Sequence, residues 1–76
     1  MEILAMLRAI LNRGNQLLTC NVIPLDRHGF GVQVVPLWDQ SSSVIEQYAS
    51  AAAAVRRHAE LSWRLRQIGW ERVLGR

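Results

Sequence analysis

The stretch SVIEQYASAAAAVRRHAELSWRLRQI, residues 43–68, decides how the chain is read. Ser43 followed three residues later by Glu46 matches a capping box, in which the serine hydroxyl meets the third helical amide and the glutamate reaches back to the cap. Ala49 to Ala54 contains four consecutive alanines, the residue of highest helix propensity. Gly69 supplies a stop, and Trp70 is placed to pack on Leu65 as a Schellman ending requires. The spacing therefore predicts one helix from Ser43 to Ile68. About 25 residues at 1.5 Å each make a rod of roughly 38 Å. Such a rod would outrun the rest of a small domain, so part of it is expected to overhang or to meet a partner.

Two stripes run along this helix. Ile45, Tyr48, Ala52, Val55, Ala59 and Ser62 form one, and Ala51, Ala54, His58, Leu61, Leu65 and Ile68 lie beside it. The remaining face carries Arg57, Glu60, Arg64 and Gln67, with Glu60 and Arg64 in the favourable i, i+4 order.

Upstream, Ile3, Leu4, Met6, Leu7, Ile10 and Leu11 recur at helical spacing, which predicts an amphipathic helix from Glu2 to Asn12 with Gly14 and Asn15 as its exit. Leu17 to Leu25 reads as a strand with Leu18, Cys20 and Val22 on one face, and a second strand runs from Phe30 to about Trp38. Asp26, Arg27, His28 and Gly29 are the turn that makes the two antiparallel neighbours. The expected fold is thus a single small α+β domain over residues 1–76, in the order α-β-β-α: a hairpin packed with a short amino-terminal helix and one long carboxy-terminal helix.

Composition bounds the function. The chain has 76 residues, half of them apolar, and one cysteine, so neither a disulfide framework nor a cysteine-rich zinc site is available. The lone cysteine suggests a reducing, cytoplasmic setting. No run reaches the ~18 apolar residues of a membrane span, and the start of the chain carries Glu2 and Arg8 rather than a basic leader. Nine arginines, no lysine and six acids give a net charge of +3; the arginine bias points to a GC-rich bacterial coding sequence.

No catalytic, metal or cofactor motif is present. His28 reads as a solvated turn residue, His58 as a surface or interface residue of the long helix, and Cys20 as a small buried hydrophobe. Gly29 and Gly31 flank Phe30 in the hairpin and lack the strand-to-helix context of a phosphate loop. The expectation is a non-enzymatic protein acting through a protein–protein surface, as a homodimer. Trp38, Trp63, Trp70, Tyr48 and Phe30 are many large rings for one small core, and the alanine stripe would admit a second helix. The candidate interface is Tyr48, Ala51, Ala52, Val55, Trp63 and Trp70. The alternative is a nucleic-acid-binding regulator. From Arg56 to Arg76 there are six arginines against two glutamates, and Arg56, Arg57, Arg64 and Arg66, with Arg27 in the hairpin turn, could follow a phosphate backbone.

Overall fold

A computed structural model describes residues 6–27 and 29–73. Five strands and one helix follow one another as β1 (Leu7–Arg13), β2 (Gln16–Pro24), β3 (Phe30–Pro36), β4 (Val44–Tyr48), α1 (Ala51–Gln67) and β5 (Glu71–Arg72). All strand pairs are antiparallel, and the sheet order is β4-β3-β2-β1-β5. The protein is a small α+β domain, but the order α-β-β-α is overturned.

The amino-terminal helix is the first correction. Its described part is β1, paired with β2 from Leu7↔Val22 to Arg13↔Gln16; residues 1–5 of that expectation lie outside the described residues. Leu7 and Leu11 fit a helical stripe with Met6 and Ile10, but with Ala9 between them they are also spaced two apart, and pairing with the strong alternation of β2 decides between the two readings. Gly14 and Asn15 form a two-residue hairpin turn and not a helix exit. Gly14 takes φ +62° while Asn15 keeps a negative φ, the pattern of a type II′ turn, which suits the right-handed twist of the flanking strands.

The long helix is the second correction. Residues 44–48 are strand β4, and α1 begins at Ala51, eight residues after Ser43. The hydroxyl of Ser50, not Ser43, accepts the Ala53 amide at 3.2 Å, while the Ser43 hydroxyl donates to the Gln40 carbonyl at 2.6 Å. Glu46 takes no part in a cap; it pairs with Arg57. The carboxy-terminal end follows the Schellman pattern. Gly69, at φ +100°, donates to the Arg66 carbonyl, and Trp70 donates to that of Leu65. Seventeen residues make a rod of about 25 Å, well inside the 37 Å long axis of the domain. The overhang that pointed to a partner does not exist.

Register sorts the sheet into two faces. Leu11, Leu18, Ala9, Cys20, Val22, Val32 and Val34 share the face under α1. There Ala54, fully buried and only a methyl in size, lets the helix lie close over Cys20, Val22 and Val32. A second cluster joins Leu11, Leu18 and Trp70, with Leu65 against it. Trp70 stacks on Trp38 with centroids 6.0 Å apart and carries the Arg13 guanidinium 4.8 Å from its ring centre. Two of the three tryptophans thus pack on each other within one chain. The opposite face mixes Ile10, Leu17, Ile23, Val35 and Ile45 with a polar cluster: Asn21, 4% exposed, accepts from Arg8 Nε and donates to Thr19 and Gln33. The polar side chains of Arg8, Thr19, Asn21 and Gln33 are thus joined across three strands of that face.

Candidate functional site

The six residues of the candidate interface do not form one surface. Trp70 is 5% exposed and belongs to the core. Tyr48 is half-buried and its hydroxyl donates to Glu46 Oε1 at 2.8 Å, which pushes its pKa up. Ala51 is half-buried at the start of α1, whereas Ala52, Val55 and Trp63 are exposed on it. The alanine stripe is divided: Ala54 faces the sheet, Ala52 and Ala59 face solvent.

The candidate nucleic-acid contacts are divided as well. Arg57 is held by Glu46 at 2.9 Å and by Glu60, bonds that raise the arginine's pKa still further. Arg27 is exposed in the β2–β3 turn, beyond the Phe30↔Tyr48 end of the sheet from which α1 departs. Arg56, Arg64 and Arg66 are exposed on α1; Arg66 lies ten residues, about 15 Å, further along the helix than Arg56. Arg76 and His28 lie outside the described residues.

Two features missed by the sequence reading stand out. The first is the outer edge of β4, which closes one side of the sheet. The other outermost strand, β5, has two residues, a length that blunts an edge; β4 has five, Val44 to Tyr48, with no proline, glycine or lysine. Val44 is 59% and Ile45 49% exposed. Ile45 lies across Gly31, where a Cβ would come within 2.9 Å of Ile45 Cδ1, so the glycine makes room for the isoleucine on the sheet. Adjacent β-branched residues at Val44 and Ile45 were the available strand signal.

The second is a groove between α1 and β1. Five strands about 4.8 Å apart make a sheet roughly 19 Å across, and a helix about 10 Å wide cannot cover it. The helix sits over β2 and β3, leaving a cleft of about 360 Å³ lined by Leu7, Ala9, Leu11, Ala59, Trp63 and Arg72, among others. Trp63 is 60% exposed at its rim. Trp63, Arg66 and Arg72 also line an adjoining cleft with Gln67, Trp70 and Glu71. The two arginines therefore stand where the clefts meet, and neither makes an ion pair with a described residue.

Cys20, His58 and Ser62 meet behind the groove. His58 Nε2 lies 2.8 Å from the Cys20 carbonyl, a distance at which the ring nitrogen donates. His58 is thus a half-buried link between α1 and β2 within the chain, neither fully exposed nor free for an interface. Burial pushes the Cys20 thiol up, with the neighbouring Ser62 hydroxyl and Arg57 acting the other way. A fully buried thiol held protonated is a poor nucleophile. The Ser62 hydroxyl is buried and, apart from that sulfur beside it, has no hydrogen-bond partner. Among the described residues no three His, Cys, Asp or Glu side chains gather as metal ligands, and no helix is long and apolar enough to cross a membrane. Comparison with known proteins finds no matching family model, no similar curated protein and no similar solved structure.

Proposed function

We propose that the protein is a non-enzymatic interaction module that works as a homodimer, with β4 of one copy pairing antiparallel with β4 of the other. The observation that carries this reading is the outer edge of β4: five residues of extended backbone, flanked by exposed Val44 and Ile45, without the lysine, proline or bulge that keeps natural edges apart. A two-fold axis perpendicular to the sheet makes such an edge its own complement and joins two five-stranded sheets into one of ten strands. Centred on Ile45, the pairing sets Ile45 against its copy and Val44 against Glu46. Centred on Glu46, it would oppose two like charges, which is unfavourable. The first register is the one we infer.

The helix surface of Tyr48, Ala51, Ala52, Val55 and Trp63 supports dimerisation less, because α1 has no overhang and Trp70 is in the core, whereas β4 occupies residues that fit the first turns of a helix by spacing alone. A cytoplasmic setting belongs to the same reading and is supported by the free thiol of buried Cys20. Nucleic-acid binding has less support, because Arg57 is neutralised by two glutamates and Arg27 stands apart from Arg64 and Arg66. Hydrogen exchange tests the proposal. The outward amides of β4 gain protection as the protein is concentrated from sub-micromolar to tens of micromolar. Concentration-independent exchange at these amides overturns it.

A further inference from the structure

We propose that the groove between α1 and β1 binds a small amphipathic carboxylic acid, its apolar body over Leu7, Ala9 and Leu11 against the Trp63 ring and its carboxylate between Arg66 and Arg72. The groove lies at the β1 side of the sheet, away from β4, so the inference stands or falls separately from dimerisation.

Three observations select this class of ligand. The floor is aliphatic: Leu7 is still exposed although it is on the face that α1 packs against, and the buried Ala9 and Leu11 continue the apolar lining beneath the helix. The cleft volume of about 360 Å³ is in the range of small-molecule sites. The polar end is cationic: Arg66, in the last turn of α1, and Arg72, on β5, come from different elements and converge on the junction of the two clefts. Guanidinium groups grip a carboxylate through paired hydrogen bonds. Glu71, the acid nearest in sequence, lines only the adjoining cleft and pairs with Asn12, on the register row opposite to that of Leu11 and Arg72. An apolar slot ending in two cations matches a chain with one acid head. It suits a polyanion poorly, because the floor offers phosphates nothing.

Titration of the intact protein with octanoate, 1-octanol and octylammonium tests this, with amide and indole chemical shifts as the readout. Octanoate is expected to give saturable shifts at Ala9, Leu11, Ala59 and the Trp63 indole, with octanol weaker by about tenfold and octylammonium weaker still. Arg66 and Arg72 are both exposed, so the double variant Arg66→Gln, Arg72→Gln keeps its fold, which its circular dichroism checks. It should lower octanoate affinity by about tenfold and leave octanol binding unchanged. Equal affinity for octanoate and octanol, shifts centred elsewhere, an unaffected double variant, or no saturation at millimolar octanoate would each overturn the assignment.

Discussion

Replacing Ser50 and Ser43 by alanine, one at a time, separates the two ways of reading residues 43–68. In the structure Ser50 precedes α1 in an extended conformation, with φ −129° and ψ 152°, and its hydroxyl accepts the Ala53 amide at 3.2 Å. Without it, an amide of the first turn loses its partner, and caps of this kind are worth about 1 kcal/mol, with a range of roughly 0.5–2. Ser43 is exposed and donates to the Gln40 carbonyl at the end of a short turn. Water can replace that bond, so its loss should cost less than about 0.5 kcal/mol. For a domain of this size 1 kcal/mol corresponds to a fall of roughly 4–8 °C in Tm. Urea midpoints and thermal melts of the two variants, followed by circular dichroism at 222 nm, give the comparison. Ser50→Ala should melt several degrees below the parent and Ser43→Ala close to it. The opposite order, with Ser43→Ala the more damaging, would mean that the helix starts at Ser43 and that β4 is not a strand.

Other consequences follow from single contacts. Gly69→Ala should cost about 1–2 kcal/mol, because φ is +100° but the nearest atom to a Cβ is the Arg13 Cδ at an ordinary 3.5 Å. Gly29→Ala should cost more in the same urea titration, since it combines φ +100° with a Cβ only 2.5 Å from the Tyr48 carbonyl oxygen. Cys20 should resist iodoacetamide in the folded protein at neutral pH and react once urea has unfolded it, because the thiol is buried and its pKa is pushed up. The Glu46 carboxyl is held below its ordinary value by Arg57 first and Tyr48 second. Its stabilisation is therefore complete above the ordinary carboxylate pKa of about 4.3 and is lost as pH falls through the lower, folded-state value. Urea midpoints measured from neutral pH down to about pH 3 should show a smaller acid loss for Glu46→Gln than for the parent.

The parts of the fold that were legible in the sequence are those whose information is local. Leu18, Cys20 and Val22 alternate strongly enough to define β2, and Gly69 with Trp70 and Leu65 ends α1 where chirality requires a glycine. The parts that were misread depend on distant partners. Leu7 and Leu11 serve a helical stripe with Met6 and Ile10 and a strand face with Ala9, and only the seven-residue ladder to β2 settles the choice. Ser43 and Glu46 imitate a capping box, yet Glu46 has Arg57 as its partner, eleven residues on. The same distinction runs through the candidate surfaces. Trp63 and Arg66 could be named from the chain because a helix exposes its residues by rotation alone. Val44, Ile45, Leu7 and Arg72 could not, because their exposure comes from the strand order β4-β3-β2-β1-β5, which puts β4 at one edge and leaves the Leu7 end of β1 only partly covered by the helix.

Sedimentation velocity of the parent and of Ile45→Lys at tens of micromolar tests dimerisation through β4 most directly. Ile45 is half exposed, so the lysine can be carried without unfolding the domain, and a lysine on an edge strand is the charge natural sheets use to prevent pairing. The parent should sediment at twice the 8.6 kDa chain mass and Ile45→Lys as the single chain, with matching circular dichroism. A parent that sediments only as an 8.6 kDa species, or an Ile45→Lys variant that still dimerises as tightly as the parent, would contradict it.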